Sequence, residues 1–281
     1  MNILSLFDGI SCGQIALNKA NIPYDNYYAS EIKPHAIKCT LDNYPNTIQL
    51  GNILNLKGSD LPKIDLFIGG SPCKGISRLN KNQEGLEHSE SRLFWEYIRL
   101  LDEVKPKYYL LENTHGNKEA TNTITETLGI KPISINSKLV SAQNRPRYYW
   151  TNIPDIKQPL DKGITTNDIF DYSGVLADEC RVKWLNSESG KKSIKNGYTK
   201  VNPYPKSGCL TALGHKKWNE NYLYRDGVYR YLSQTELEKL QTLPVGYTKI
   251  LSYDEAYDCT GDGWTVDVIA HIFKNIELWM Y

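Results

Sequence analysis

Residues 2–13 read NILSLFDGISCG, and this stretch decides the fold class of the chain. Its first six residues form an apolar run that is short enough for a buried strand. Asp8-Gly9 follows at once, and Ser11 stands where it can cap a helix that continues to about residue 20. A strand, a glycine turn and a helix in immediate succession predict a doubly wound α/β sheet.

The alternation of short apolar strands with helical stretches continues as far as residue 150. The predicted strands cover residues 27–30, 48–50, 65–68, 108–111 and 148–151, and the predicted helices cover 34–43 and 91–104. Polar or glycine-rich sequence follows the strands. Because the carboxyl ends of parallel strands meet at one edge of a sheet, where α/β proteins bind ligands, we expect the functional residues there.

The composition excludes several classes of protein. The 281 residues carry a formal net charge of +1, with 40% apolar and 23% charged residues, which is typical of a folded soluble protein. No apolar run reaches the roughly 18 residues that span a bilayer, and the first ten residues lack the basic leader of a signal peptide. None of the six cysteines forms a C-x-x-C pair, so we expect reduced thiols and no metal site.

Three segments are expected along the chain. Residues 1–151 form the main α/β domain, and residues 152–230 form a smaller, loop-rich lobe in which the regular alternation is lost. Residues 231–281 form C-terminal helices, the first over 233–243 and the last over 264–276. The first of these helices has the S-x-x-E spacing of a capping box.

The segment from residue 181 to residue 230 is strongly basic although the whole chain is nearly neutral. It contains eleven basic and three acidic residues, a net charge of +8, and seven tryptophan or tyrosine residues interleave with them. Basic charge mixed with stacking rings favours a nucleic-acid partner. The alternative is a solvated lysine-rich surface.

The first strand end has the features of a nucleotide-type cofactor site. Its glycines, in FDGISCG, permit a tight turn and a close approach of the backbone to a ligand. Glu31 follows Asp8 by 23 residues, at the end of the second strand, where a carboxylate can accept hydrogen bonds from both hydroxyls of a ribose. The G-x-x-x-G spacing favours a single adenosyl ligand over a dinucleotide. An ordinary strand-to-helix turn is the alternative.

Cys73 is the candidate nucleophile. It follows the fourth strand and the sequence Gly-Gly-Ser-Pro, so we expect it on a loop at the substrate edge of the sheet. Lys74 is adjacent and Arg78 is near, and either favours the thiolate form. The alternative role, a buried apolar cysteine, fits Cys39 better.

Two further polar sets follow later strands. Glu112-Asn113 comes directly after the fifth strand, one strand along from Cys73. Arg145 and Arg147, separated by one proline, are expected to present both guanidinium groups on one face, which favours binding of anionic or carbonyl groups. A pair of surface arginines is the alternative.

Taken together, these motifs resemble those of the DNA (cytosine-5) methyltransferase family, in the same order and over nearly the whole chain. The matching stretches are FDGISCG, GGSPCKGIS, LLENTHGN, QNRPRYYW, RYLSQTELEKLQTLP and GDGWTVDVIAHIF. In detail they are most similar to the animal de novo branch of the family. The lack of regulatory modules nevertheless favours a bacterial or phage source.

The resemblance implies a fold, a cofactor and a set of site residues. The fold is the Rossmann-like one of class I S-adenosylmethionine-dependent methyltransferases, with residues 1–151 as the catalytic and cofactor-binding domain and 152–230 as a small target recognition lobe. The implied catalytic residues are Cys73, Glu112, Arg145 and Arg147. The implied S-adenosylmethionine-binding residues are Phe7, Asp8, Gly9, Glu31, Ile32, Asn52, Pro72, Leu93 and Trp264. The expected DNA-binding residues are Ser77, Arg78, Lys191, Lys192, Lys195, Lys216 and Lys217.

The implied reaction is methylation of C5 of a cytosine that has been flipped out of duplex DNA. Cys73 adds to C6 of the ring, and Glu112 binds N3 and the exocyclic amine. Arg147 steadies the base, and Arg145 contacts O2 or the DNA backbone. Closure of residues 73–82 over the base excludes water.

Three residues depart from the family pattern, namely Lys74, Thr114 and Asn52. They stand where glutamine or asparagine, valine and aspartate are usual, and Asn52 is expected to weaken cofactor binding. Alternatives are a catalytically silent DNA-binding relative, an enzyme of the same fold that acts on RNA or uses a modified cofactor, and a Rossmann-like dehydrogenase. The intact catalytic set and the absent G-x-G-x-x-G spacing argue against the first and the last.

Double-stranded DNA is the expected partner, and a bacterial or phage-infected cytoplasm is the expected location, within a restriction-modification system or as an orphan enzyme. The chain is expected to be a monomer. A dimer contact through Leu93, Phe94 and Tyr97 is the alternative, and burial of these side chains in the core is the preferred interpretation. The sequence does not encode the recognised base context in a readable form.

Overall fold

The computed structural model describes residues 1–72, 86, 92–212 and 221–277. These residues form two compact units. The first unit comprises Met1–Ile135, Pro146–Gln158 and the chain from Val268 onward. The second comprises Asn136–Arg145 and Pro159–Asp267.

A seven-stranded sheet organises the first unit, in the order β3-β2-β1-β4-β5-β7-β6. Its strands are β1 Asn2–Leu6, β2 Asn26–Ser30, β3 Ile48–Gln49, β4 Leu66–Gly70, β5 Tyr108–Thr114, β6 Ile133–Asn136 and β7 Pro146–Thr151. The helices between them are α1 Cys12–Lys19, α2 Pro34–Asn43, α3 Leu93–Val104 and α4 Lys118–Leu128. The predicted α/β alternation is confirmed, and α2 has the predicted bounds with its proline in the first turn.

The strand register brings the polar strand ends together at one edge. The pairs β1–β2, β1–β4 and β4–β5 are parallel, with Leu6 opposite both Ser30 and Gly69, and Gly70 opposite Glu112. Strand β7 runs antiparallel to β5, which brings Arg147 opposite Thr114. Residues that follow β1, β2, β4 and β5 therefore share the edge with the first residues of β7.

Helix α3 supplies core residues to this unit. Phe94 and Tyr97 are fully buried, and the Tyr97 ring meets Phe67 edge-on with the ring centres 4.7 Å apart. Leu93 is half-buried and packs on the same cluster. The preferred interpretation of these side chains as core residues is confirmed. In the described part of the chain, no helix is both long enough and apolar enough to cross a bilayer.

The second unit contains a small sheet in the order β10-β9-β8, together with several helices. Its elements are α5 Glu179–Asn186, α6 Glu188–Lys195, β8 Lys200–Val201, β9 Asn221–Arg225, β10 Val228–Tyr231, α7 Gln234–Leu240 and α8 Tyr253–Asp262. Helix α9, Val266–Phe273, begins in this unit and continues past Val268 into residues of the first. The capping box predicted at the start of α7 is confirmed.

The division into units differs from the boundaries expected from the sequence. Residues 136–145 and 231–267 both belong to the second unit. The physical reason is one shared apolar cluster, formed by Ala142, Ile169, Leu210, Leu223, Leu232, Leu237, Leu240 and Tyr257. Helix α7 therefore buries its apolar face with the lobe, and only the chain from Val268 onward groups with the main sheet.

Candidate active site at the carboxyl edge of the sheet

The turn after β1 bends sharply through three residues with left-handed backbone. Phe7, Gly9 and Ser11 have φ angles of 55°, 59° and 57°. A Cβ built on Gly9 would have nothing within 4 Å, so the outer side of this turn faces open space. The outer side of Gly9 is thus open, and its contact with a ligand stays a prediction.

The Asp8 side chain points to the inner side of the same turn. It is only 9% exposed, and its carboxylate accepts hydrogen bonds from the hydroxyls of Ser5 (2.6 Å), Ser11 (2.6 Å) and Tyr27 (2.7 Å). Burial raises the pKa of Asp8 to about 6, and the three hydroxyls oppose that rise. Ser11 occupies the N-cap position, but its hydroxyl binds Asp8 and makes no capping bond, so the expected cap is corrected.

Gly13 serves the packing beneath the turn rather than the approach of a ligand. A Cβ at this position would lie 2.5 Å from the Tyr27 hydroxyl oxygen and 2.6 Å from Cδ1 of Ile68. The absence of a side chain at Gly13 therefore lets Tyr27 reach Asp8. The sequence pattern contained this glycine but gave no sign of its tyrosine neighbour.

Glu31, after β2, is tied to the turn by backbone hydrogen bonds. Its Oε2 accepts the amide hydrogen of Gly9 at 2.8 Å, and its Oε1 accepts those of Ile32 (2.7 Å) and Lys33 (2.9 Å). A carboxylate has about four acceptor positions, so these bonds leave about one for a ligand. A ribose that bonded through both hydroxyls would displace one of the amides.

Two other expected cofactor residues are Ile32, which follows Glu31 in the sequence, and Asn52, which follows β3. Ile32 is 65% exposed, so its apolar side chain is available to pack on a planar ring. Asn52 is exposed, and its Oδ1 accepts the amide hydrogen of Leu54 at 3.0 Å, which caps a short 3-10 helix. An acceptor, an apolar side chain and an open glycine turn fit an adenosyl group better than a phosphate, which would need cations or several free amides.

Asn113 joins the ends of β4 and β5. Its Nδ2 donates to the backbone oxygen of Ser71 at 3.2 Å and to the Ser71 hydroxyl at 3.1 Å, and all of these groups are buried. Ser71 and Pro72 lead directly into Cys73. Asn113 thus fixes the chain immediately before the candidate nucleophile, a role that the sequence signalled only through its position beside Glu112.

Glu112 and Arg147 form an ion pair across the β5–β7 junction. The Arg147 Nε lies 2.9 Å from Glu112 Oε1, and the two side chains are 15% and 12% exposed. Arg147 also donates from Nη1 to the backbone oxygen of Pro146 at 2.9 Å. The antiparallel strand pairing therefore holds one carboxylate and one guanidinium together at the edge of the sheet.

Arg145 has a different environment from the one expected. It is 3% exposed, and it donates from Nη1 to the oxygen of Leu210 (2.8 Å) and from Nη2 to those of Gly261 (3.0 Å) and Gly263 (2.9 Å). These partners all belong to the second unit, as does Arg145 itself. The expectation that Arg145 and Arg147 act on one face is thus corrected, because a buried guanidinium needs fixed acceptors and finds them in backbone carbonyls.

Several predicted residues do not enter this geometry. Cys73, Ser77, Arg78, Lys216 and Lys217 lie outside the described residues, as does Lys74. Leu93 packs on the core, and Trp264 belongs to the second unit. The predicted DNA-binding residues of α6, Lys191, Lys192 and Lys195, are exposed.

Comparison with known proteins gives a consistent family. The family described as C-5 cytosine-specific DNA methylase matches residues 1–149 and 133–278. The orphan methyltransferase M.Rho11sI of Bacillus phage rho11s is 32% identical over 210 residues, which cover 69% of this chain and 42% of the relative. The type II methyltransferase M.NgoBV of Neisseria gonorrhoeae is 28% identical over 229 residues, 70% of this chain and 53% of the relative. The chain thus spans about half the length of these relatives.

Solved structures establish the fold. The Entamoeba histolytica methyltransferase EhMeth superposes with a TM-score of 0.79 at 16% identity, covering 98% of this chain and 97% of the other. The S. pombe Dnmt2 methyltransferase superposes with a TM-score of 0.72 at 18% identity, covering 97% of each chain. The fold is the Rossmann-like one of class I S-adenosylmethionine-dependent methyltransferases, as the sequence predicts.

Proposed function

This chain belongs to the C-5 cytosine-specific DNA methylase family, and from that premise we propose that it transfers a methyl group from S-adenosylmethionine to C5 of a flipped-out cytosine in duplex DNA. The observation that carries the proposal is the 2.9 Å ion pair between Glu112 and Arg147. Glu112 lies on β5, the strand next to β4, and the end of β4 leads through Ser71 and Pro72 into Cys73. A carboxylate and a guanidinium at one strand end, with a cysteine that follows the neighbouring strand in the sequence, supply what addition to a cytosine ring requires.

The chemistry follows from the electronic structure of cytosine. C5 is a weak nucleophile in the intact ring, and addition of the Cys73 thiolate to C6 moves the electron pair of the C5–C6 double bond to C5. Once C5 carries the methyl group, loss of the C5 proton restores the double bond and expels the Cys73 sulfur. The bond to sulfur is therefore formed and broken within one turnover.

Glu112 has the proton-holding role in this scheme. Charge develops at N3 when C6 is attacked, and a carboxyl group that bonds to N3 stabilises it. The contact from Arg147 fixes Oε1 of Glu112, so the carboxyl group meets the base in one orientation. Arg145 acts at a distance, by holding the backbone of the second unit through its buried hydrogen bonds.

The methyl donor fits the turn after β1. When bound, S-adenosylmethionine supplies a methyl group on a positively charged sulfur. We assign Gly9 to backbone contact with the ligand, the remaining acceptor position of Glu31 to the ribose, and exposed Ile32 to the adenine face. Asn52 has its Oδ1 bonded to Leu54, which leaves its amide hydrogens as the group to meet an adenine acceptor.

Duplex DNA is the proposed partner. The exposed lysines of α6, Lys191, Lys192 and Lys195, offer phosphate contacts, and exposed Tyr198 follows the helix. The phage and bacterial relatives, one an orphan and one a type II methyltransferase, favour the same setting for this chain, in the cytoplasm of a bacterial or phage-infected cell.

A trapping experiment tests the proposal. Duplex DNA containing 5-fluorocytosine cannot lose a proton from C5, so the wild-type protein with S-adenosylmethionine should form a covalent complex that survives denaturing electrophoresis. Cys73→Ala should form none and should transfer no labelled methyl group to ordinary DNA. The matched control is Cys180→Ala, because Cys180 is an exposed cysteine on α5, and it should behave as wild type.

Failure of the wild-type protein to crosslink or to transfer label to any cytosine-containing duplex would refute the proposal. Bisulfite sequencing of DNA from cells that express the protein then reads the base context directly.

A further inference from the structure

The buried carboxylate of Asp8 is an anion without a cationic partner in the described part of the chain. Its hydrogen bonds come from three hydroxyls, those of Ser5, Ser11 and Tyr27, and no ion pair involves it within residues 1–72, 92–212 and 221–277. Hydroxyl donors stabilise a carboxylate but do not neutralise its charge. Burial therefore leaves the ionised form of Asp8 at a disadvantage.

The titratable groups around Asp8 add to this disadvantage. Glu31 raises the pKa of Asp8 by charge repulsion, on top of the larger effect of burial. Tyr27 has a pKa well above its usual value, and burial raises the pKa of Tyr24 to about 12, so both phenols are neutral at ordinary pH. Among the residues that the structure describes, the neighbourhood thus supplies hydroxyl donors and a second negative charge, and a cation is the partner that Asp8 lacks there.

The proposed methyl donor and its product differ in the charge that Asp8 would sense. S-Adenosylmethionine carries a positive sulfonium, whereas S-adenosylhomocysteine carries a neutral thioether, and the two share the nucleoside and the amino acid group. Asp8 immediately precedes Gly9, whose backbone faces the open side of the turn. Because the Asp8 carboxylate is buried, water screens its charge less than it screens an exposed carboxylate, so a positive charge bound against the Gly9 backbone would interact with it across the turn.

We infer that Asp8 is a specificity-determining residue, whose buried negative charge makes this site prefer the cationic methyl donor over its neutral product. The inference rests on the proposed function. When the sulfonium ligand binds to protein in which Asp8 is protonated, Asp8 becomes ionised and one proton is released to solvent. Binding of the neutral thioether releases no proton.

Calorimetric titration with each compound between pH 5 and pH 7 tests the inference on the protein without DNA. The affinity for S-adenosylmethionine should rise with pH, by up to about tenfold for each unit by which the sulfonium lowers the pKa of Asp8, while that for S-adenosylhomocysteine changes little. At pH 6, titrations in two buffers of different ionisation enthalpy should show release of part of a proton with the sulfonium and none with the thioether.

Three variants identify the titrating group. Asp8→Asn keeps the shape of the side chain and should abolish both the pH dependence and the preference. Tyr27→Phe removes one hydroxyl that lowers the pKa of Asp8, so the midpoint of the pH profile should move upward. The matched control is Tyr24→Phe, because the Tyr24 hydroxyl binds Gln14 at 2.8 Å instead, and its midpoint should stay in place.

The outcomes separate this inference from the function on which it rests. Parallel pH profiles for the two compounds, or a preference that persists in Asp8→Asn, would overturn the role of Asp8 alone. If neither compound binds the wild-type protein at any pH, the proposed cofactor falls, and the inference with it. A midpoint that moves equally in Tyr24→Phe and Tyr27→Phe would assign the titration to another group.

Discussion

Replacing Asp8 with asparagine should make the protein more stable at neutral and alkaline pH. The variant Asp8→Asn retains the shape of the side chain and one oxygen acceptor for the surrounding hydroxyls, and it removes a charge that burial disfavours. A residue that lowers stability at the edge of a candidate active site is typical of a functional group.

The magnitude follows from the two pKa values. The pKa of Asp8 is raised from 3.8 to about 6 in the folded protein. A folded-state pKa above the unfolded one means that the favourable contribution of Asp8 is fully present below pH 3.8 and is lost as the pH rises through about 6. The loss approaches roughly 3 kcal/mol at pH 8 and is about half as large at pH 5.

Urea denaturation followed by tryptophan fluorescence, at pH 5, 6, 7 and 8, measures this effect. The difference in unfolding free energy between Asp8→Asn and wild type should grow in favour of the variant up to pH 7 and then level off. The matched control is Asp42→Asn on α2, which removes the same charge from an exposed position, so an effect that both variants share is not due to burial. A difference for Asp8→Asn that does not change with pH would refute the assignment of a raised pKa to this carboxylate.

Three further predictions concern packing and charge. Gly13→Ala should lower the unfolding free energy by about 1–3 kcal/mol in urea denaturation, since its methyl group would lie 2.5 Å from the Tyr27 hydroxyl; unchanged stability would contradict that packing. Arg145→Met should lower it by about 3 kcal/mol or more, because the buried carbonyls of Leu210 and Gly261 and the partly buried carbonyl of Gly263 each lose a charged donor, and an unaltered melting temperature would contradict the buried role. Replacing Lys191, Lys192 and Lys195 by alanine should weaken duplex binding for every sequence and flatten its dependence on salt; an unchanged salt slope would move the phosphate contacts elsewhere.

Local sequence patterns were sufficient to predict most strands of the main sheet. The apolar run in residues 2–7 predicted β1, and the proline at residue 34 predicted the start of α2. In the second unit the same approach found α7 but not α5 and α6. The buried residues of these two helices are Arg181, Leu185 and Gly190. Because these residues do not form an apolar helical stripe, the sequence predicted only a loop-rich lobe there.

The candidate site likewise contains residues that the sequence predicted and contacts that it did not. Glu31 and Glu112 could be placed from the sequence, because each follows a predicted strand directly. The three hydroxyls around Asp8 could not, since Ser5, Ser11 and Tyr27 meet only when β1 and β2 pair and α1 begins above them. The hydrogen bonds from Asn113 to Ser71 depend likewise on the pairing of β4 with β5.

The sequence by itself determined the order of strands and helices, the family and the residue types at the strand ends, because short-range periodicity and motif order are properties of the chain alone. Only the tertiary structure decided the partners of those residues. It paired Arg147 with Glu112 through an antiparallel strand, while it buried Arg145 among carbonyls more than 60 residues away in the chain. Such partners are chosen by long-range strand pairing and by the need of buried polar groups for hydrogen bonds, and neither is visible in a local pattern.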